Sequence, residues 1–433
     1  MTRFWKKGTD GAEAMDASDV ALRVVLQVAE DQIEAALGNL ADRGSQAEGE
    51  VVGAEATDRG LVVTFGDKYE PRTALLRRLN SLQRVGVGIT DFAWLDAVTD
   101  PTDRWLRDEF ARWEGPRDNG TGIDQVEVAR RRLGRLTGQL IVDRLLTLVS
   151  VADMEQQRRR TIAHAAALAG FNTHTTEAGD ALVGCSVALV RVAPHAAMSL
   201  LDAASSIAEL RRFGIRTKID EAPLLELIDH PNWRVNGSAT QLVAALPPPR
   251  SDEIAGALVR VGRGLVGQTK ATEIRAEQVV AALATAAVAR VDVDDTLDAL
   301  RSHVSSNVRV DATVVLARRR PERARRLWEP WLTSRSTNER TAAERMIATS
   351  GDERDVAEVV RIVKHRAKPS TGTTYWPPLA AEGLNFLVRH ADTPDAAHAL
   401  DHLRSNWDRH DDDLQRWIRL NHPELVPPPP TAP

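Results

Sequence analysis

The feature that most constrains the fold is a pattern of apolar residues that recurs three times in the second half of the chain. In each copy, a polar turn precedes apolar or small residues spaced as one face of an α-helix. The anchors of the three copies are Val235, Val308 and Glu339. The residues that follow at the same offsets are Ala239, Leu242 and Val243, then Ala312, Val315 and Leu316, then Ala343, Met346 and Ile347.

The intervals between the anchors predict units of two helices each. The interval from 308 to 339 accommodates one unit, and the interval from 235 to 308 leaves room for one more, with a looser pattern over 269–289. One helical hairpin cannot bury both of its faces, so neighbouring hairpins must cover it and the core runs along the array. Pro231 and Gly351 lie where helices must end, and Asp352 is placed to cap the next helix.

The second helices of these units resemble the HEAT-repeat family over about 220 to 365. Val308-Arg309, Ala312 and Leu316 match the residues typical of that helix, and the stretch HPNWRVNGSATQLVAAL at 230–246 is similar to it. The resemblance implies a mainly α fold, an α-solenoid of HEAT-like helical hairpins, with the second helices on a concave inner surface.

Two departures from the family concern its polar ladder, in which a turn aspartate and a helix arginine join neighbouring units. His230 and His303 stand in place of the turn aspartate, and Asn236 stands in place of the arginine in the first copy. The sequence therefore does not predict that ladder for this chain.

The chain divides into four predicted regions. Residues 1–70 combine a helix over 17–43 with a β-hairpin around Gly60, so the solenoid is preceded by a small α+β N-terminal segment. Residues 71–220 form a helical region of degenerate repeats without further strands, with a linker or an insertion-bearing loop at 111–124. Residues 221–424 are the HEAT-like repeats, and the proline-rich stretch 425–433 is a disordered tail.

Composition excludes several classes of protein. The net charge of -5 gives no overall attraction to nucleic acid or membrane. No segment reaches the roughly 20 apolar residues of a membrane helix, and the first residues lack the apolar core of a secretory signal. A single cysteine, Cys185 in an apolar stretch, favours a reducing, cytoplasmic location and a buried, inert thiol. The excess of arginine over lysine suggests a bacterial, GC-rich origin.

The candidate binding residues are arginines. The segment 315–332 contains Arg318, Arg319, Arg320, Arg323 and Arg326, and further clusters contain Arg130 and Arg158 on helices predicted at 125–150 and 154–170. If these side chains share one face they can bind the phosphates of a nucleic acid. The alternative is a solvated surface, because consecutive arginines on a helix cannot all point one way.

Enzymatic signatures are weaker. Some HEAT-like proteins are DNA glycosylases that hold a base with tryptophans, but Trp105, Trp113, Trp328 and Trp331 are spaced as packing residues. His398 and His402 lie one helical turn apart, and the only third ligands at hand are His410 or the acidic run at 411–413. The sequence predicts no metal and no cofactor.

These observations favour a non-enzymatic recognition scaffold that binds a protein or peptide partner on its concave face. The first alternative is nucleic-acid binding through the arginine clusters, with glycosylase chemistry as its extension. A second is a structural subunit of a larger bacterial assembly.

Overall fold

The structure, a computed structural model, describes much of the 433-residue chain. The described residues are 22–28, 33, 51–57, 60–65, 75–76, 79–80, 89–94, 98–114, 133–134, 136–215, 217–267, 272–366, 378–410 and 412–427. Their secondary structure is mainly helical, as predicted. By their internal contacts they form two compact units, the first running to Pro248 and also including Asp252–Ala257, the second including Pro249–Ser251 and the chain from Leu258 onward. The predicted boundary between 220 and 221 falls within the first unit.

A four-stranded antiparallel sheet lies near the beginning of the first unit. Its strands are β1 Leu22–Val28, β2 Val51–Thr57, β3 Gly60–Phe65 and β4 Ile89–Trp94, in the order β2-β3-β1-β4. Thr57 pairs with Gly60 across the turn between β2 and β3, which confirms the predicted hairpin.

Two secondary-structure predictions in this region are wrong. The helix predicted over 17–43 is a strand at 22–28, although Ile33 is helical. β1 lies between β3 and β4, and the successive residues Val25 and Leu26 are both buried. A strand covered on both faces has a continuous apolar run that periodicity cannot separate from a helix. β4 is a strand where only helices were expected after residue 71, because it pairs with β1.

Helices of the first unit follow the sheet. They are α1 Asp103–Glu114, α2 Gln139–Val149, α3 Gln156–Thr173, α4 Thr176–Leu189, α5 Pro194–Leu210, α6 Leu224–Ile228 and α7 Trp233–Ala245. α3 packs on α5 and α5 on α7, while α2 packs on α4 and α4 on α6. Each helix of one set also packs on its sequence neighbour in the other set. The helices from α2 to α7 therefore form two layers, with the second helix of each pair in one layer.

The second unit repeats this arrangement. Its helices are α9 Glu273–Leu283, α10 Val291–Leu300, α11 Ser306–Arg319, α12 Ala324–Trp328, α13 Thr337–Ser350, α14 Val356–Arg366, α15 Pro378–Arg389, α16 Pro394–Ser405 and α17 Asp412–Asn421. α8, Asp252–Leu265, spans the division between the units. α9, α11, α13 and α15 pack in succession on one another, and α10, α12 and α14 pack against them.

The apolar faces predicted for the three copies are confirmed by burial. Val235, Val308 and Ala343 have no exposed surface, and most of the other predicted positions are buried. Val315 is half-buried. The anchor Glu339 is also buried, with 9% of its surface exposed, and its carboxylate forms an ion pair with Arg309.

The remaining boundary predictions have mixed outcomes. The linker predicted at 111–124 begins inside α1, which continues to Glu114, and its other residues lie outside the described part. Leu425, the first residue of the predicted tail, is buried at the end of a short 3₁₀ helix. Residues 428–433 lie outside the described part.

Candidate functional site

Two of the candidate arginines, Arg319 and Arg320, converge on one buried carboxylate. Asp294 accepts a hydrogen bond from Nε of Arg319 at 2.7 Å and another from Nε of Arg320 at 2.6 Å. The Arg319 side chain is 4% exposed, and its other donors reach the carbonyl oxygens of Ala286 at 2.7 Å and Ala287 at 3.0 Å. These two guanidinium groups join the end of α11 to α10 and to the segment that leads into it.

The other candidate arginines have different surroundings. Arg318, Arg323 and Arg326 are exposed, and none of them forms an ion pair with a carboxylate in the described part of the chain. Arg158 is exposed on α3, whereas its neighbour Arg159 is buried and donates to the carbonyl oxygens of the turn before α3. Arg130 lies outside the described residues.

The turns that precede the second helices share one geometry. His230 Nδ1 accepts the backbone N–H of Asn232, and His303 Nδ1 accepts that of Ser305, both at 3.1 Å. In the third copy the Ser334 hydroxyl accepts the N–H two residues later at 3.1 Å. Asn232, Ser305 and Ser336 then cap the helices. In the first two of these turns, the acceptor is therefore a histidine ring nitrogen.

A polar ladder does join neighbouring helices of the second unit, although the sequence did not predict one. Asn307 donates to Glu273 Oε1 at 2.9 Å, and Asn338 donates to Asn307 Oδ1 at 3.0 Å. We call Glu273, Asn307 and Asn338 the amide ladder, since they join the N-terminal turns of α9, α11 and α13. A second connection runs from Arg309 to Glu339 Oε1, with N–O distances of 2.8 and 3.0 Å.

The Glu339 carboxylate is held ionised by its surroundings. The hydroxyl of Ser334, which donates to Glu339 Oε2 at 2.6 Å, lowers the pKa of Glu339, and Arg309 lowers that pKa further. Arg309 also donates to the carbonyl oxygens of His303 and Val304, both at 3.0 Å. This network stabilises the turn before α11 against the start of α13.

The surface around the amide ladder combines carboxylates with exposed aliphatic side chains. Burial, followed by the charges of Asp311 and Glu273, raises the pKa of Glu277, and the hydrogen bond from Asn307 opposes the rise. Burial also raises the pKa of Asp311. Ile274 and Val304 are 66% and 61% exposed. We call this surface the ladder face, defined by the amide ladder with Glu277, Asp311, Ile274 and Val304.

Sequence reasoning missed the ladder face, although a signal for it was present. Asn307 and Asn338 each stand two residues after the serine that caps their helix, in the stretches SSN and STN. Equal offsets in successive units place side chains side by side when the units stack.

The aromatic residues divide between core and surface. Trp328 is buried and lies 5.1 Å from the Arg325 guanidinium, which pairs with Asp352 and Asp355. Trp113 packs edge-on against His164. Trp233 is 55% exposed at the start of α7, with the Arg234 guanidinium 5.3 Å from its ring.

Within the described residues, no three His, Cys, Asp or Glu side chains are placed to hold a metal ion. His398 and His402 are exposed on α16. Cys185 is half-buried, and burial raises the pKa of its thiol, while a contact of 3.7 Å with the Ser150 hydroxyl opposes the rise. None of the helices that the structure describes combines the length and apolar character needed to cross a bilayer.

Comparison with known proteins yields no family. No protein-family model matches the chain, and no curated protein matches it. Among solved structures, the chain is similar to the crystal structure of an engineered protein from a structural genomics consortium, with 17% sequence identity and a TM-score of 0.38. The match covers 74% of this chain and 94% of the engineered one. A likeness at this level carries no argument about fold or function.

Proposed function

We propose that the protein is a non-enzymatic recognition scaffold, an α-solenoid of HEAT-like hairpins that binds a protein or peptide partner on its layer of second helices. The layered packing of α9, α11, α13 and α15 supports the solenoid. The single cysteine supports a cytoplasmic location. The proposed binding surface is the ladder face.

The observation that carries the proposal is the amide ladder beside exposed aliphatic side chains. Each asparagine amide has both a donor and an acceptor, so exposed amides at the N-terminal turns of α11 and α13 can bind the backbone of an extended peptide. Ile274 and Val304 provide apolar contacts at the same edge.

The charges of the ladder face indicate a basic partner. Burial raises the pKa of Glu277, and repulsion from the nearby carboxylates of Asp311 and Glu273 raises that pKa further. A lysine or arginine side chain of a partner would relieve this repulsion, whereas an acidic partner would add to it.

Selection of peptides tests the proposal. A phage-displayed library of random dodecapeptides is panned against the full chain, and the affinities of the recovered peptides are measured by fluorescence polarisation. We expect the recovered peptides to contain lysine or arginine. They should bind the double variant Asn307→Ala/Asn338→Ala about tenfold more weakly than the unaltered chain, or weaker still. Ile274→Ala should weaken binding several-fold.

The matched control is Gln157→Ala, which removes an exposed amide of α3 in the first unit and should leave binding unchanged. Peptides that bind the double variant and the unaltered chain equally would show that the ladder face is not the binding surface. Failure to recover any specific peptide would contradict the proposal itself.

Nucleic-acid binding remains the second candidate, and the exposure of Arg318, Arg323 and Arg326 favours it. If all three bind phosphates of a labelled DNA duplex, the logarithm of the affinity should fall with the logarithm of the salt concentration with a slope of about -3. Triple replacement by alanine should abolish that slope. Absence of measurable binding at low salt would exclude this candidate.

A further inference from the structure

A hollow of about 420 Å³ opens in the first unit, and none of its lining residues belongs to the ladder face. It lies between the first turn of α4 and the segment that follows α5. Its lining residues are Thr176, Arg211, Gly214, Ile215, Thr217 and Lys218. Its volume lies within the range of roughly 300 to 1,000 Å³ that is typical of small-molecule sites.

The wall of the hollow is held in place by hydrogen bonds at successive positions. Thr217 donates its hydroxyl to the carbonyl oxygen of Ile207 at 3.1 Å, and the backbone N–H of Lys218 donates to Thr176 Oγ1 at 3.1 Å. Further along, the N–H of Asp220 donates to Asp180 Oδ1 at 2.8 Å. The hollow is therefore preformed, which lowers the entropic cost of binding a ligand.

Close packing supports the same wall from behind. Ile219 is buried against Gly179, where an added Cβ atom would lie 2.6 Å from Ile219 Cγ1. The chain turns into the wall at Gly214, which has a φ of 89°, a left-handed conformation that glycine adopts without strain.

Two cationic side chains line the hollow. The side chains of Arg211 and Lys218 are exposed at its rim, and neither forms an ion pair with a carboxylate in the described part of the chain. Thr176 Oγ1 accepts the N–H of Lys218, so its own hydrogen is available to donate to a ligand. Ile215 adds an apolar contact surface.

We propose that this hollow binds a phosphorylated small molecule. Arg211 and Lys218 neutralise the phosphate oxygens, the Thr176 hydroxyl donates a further hydrogen bond, and Ile215 contacts the apolar part of the ligand. Phosphate is the anion that suits this set, because it can accept hydrogen bonds from a guanidinium, an ammonium and a hydroxyl at once.

Titration calorimetry with inorganic pyrophosphate tests the proposal on the full chain, in low salt and with sodium chloride as the anion blank. We expect saturable binding with one site per chain. Arg211→Ala and Lys218→Ala should each weaken it at least about tenfold, since a hydrogen bond to a charged group contributes about that much or more. Arg211→Lys should retain most of the affinity.

Two further variants separate a specific site from general charge effects. Lys364→Ala removes an exposed cation of the second unit and should leave binding unchanged. Glu177→Gln removes the carboxylate next to Thr176 in the first turn of α4 and should tighten binding about twofold at low salt. Circular dichroism should show an unchanged fold, because the replaced side chains are all exposed.

Equal loss of affinity in Lys364→Ala and Lys218→Ala would overturn the proposal, as would the absence of saturable pyrophosphate binding. Because the ladder-face variants change none of these residues, they should bind pyrophosphate as the unaltered chain does. The two proposals can therefore fail independently.

Discussion

Replacement of Asp294 by alanine tests the interpretation that Arg319 and Arg320 stabilise the fold. Asp294 is 5% exposed and accepts from both guanidinium groups. Arg319 is buried to nearly the same extent, so the variant leaves its charge in the interior without a counterion. Removing one partner from a buried pair costs about 3 to 5 kcal/mol of unfolding free energy.

Urea denaturation followed by circular dichroism measures this loss. With a denaturant dependence of about 2 to 3 kcal/mol per molar urea, the midpoint of the second unit should fall by roughly 1 to 2.5 M. The matched control is Asp298→Ala on the same helix, α10. Asp298 pairs with Arg301 at 2.7 Å but is 45% exposed, so its loss should cost less than about 1 kcal/mol.

Salt provides the second discriminating measurement. The effect of Asp298→Ala should shrink as sodium chloride rises, because exposed charges are screened, whereas the effect of Asp294→Ala should persist. If the two variants lose the same stability, the buried carboxylate does not hold Arg319 and Arg320.

Three more predictions concern groups with shifted pKa values. The folded-state pKa of Glu277 is raised, so its charge opposes folding above that pKa. Glu277→Gln should therefore raise the thermal midpoint, measured by differential scanning calorimetry at neutral pH, by up to about 2 °C. The same variant should bind basic peptides more weakly than the unaltered chain does. A loss of stability in this variant would contradict the assignment. Burial lowers the pKa of His303, so the free energy of unfolding should fall as pH drops below the ordinary histidine pKa. In His303→Asn, the urea midpoint should change less between about pH 7 and 5 than it does in the unaltered chain. An unchanged profile would show that His303 does not cause the fall. Ser334 and Arg309 lower the pKa of Glu339, so Glu339→Gln should cost about 1 kcal/mol of unfolding free energy at pH 7 and progressively less as pH falls below the ordinary glutamate value. An equal cost at every pH would rule out an ionised carboxylate.

The helical faces and the β2–β3 hairpin could be predicted because their signals are local. Val235 and Val308 begin apolar runs whose spacing matches the helix period, and both are buried. Gly60 occupies a turn between two valine-rich runs, and Thr57 pairs with it. In each case a few neighbouring residues contain the whole signal.

β1 and the binding surface could not be predicted in the same way. The apolar residues from Val20 to Leu40 are spaced more like a helix than a strand, so the sequence predicts a helix there, and only the pairing of β1 with β3 and β4 makes it a strand. The arginines at 319 and 320 had the composition of a phosphate-binding cluster, but Asp294, far away in the sequence, determines where they point.

The sequence by itself determined that this chain contains recurring amphipathic helices and one hairpin, because helix and turn signals depend on neighbouring residues. Only the tertiary structure decided which polar side chains remain available for binding. It pairs two of the candidate arginines with a buried carboxylate and brings Glu273, Asn307 and Asn338 together. The physical reason is that the availability of a charge or an amide depends on the partners that packing places within hydrogen-bonding distance, and those partners are remote in sequence.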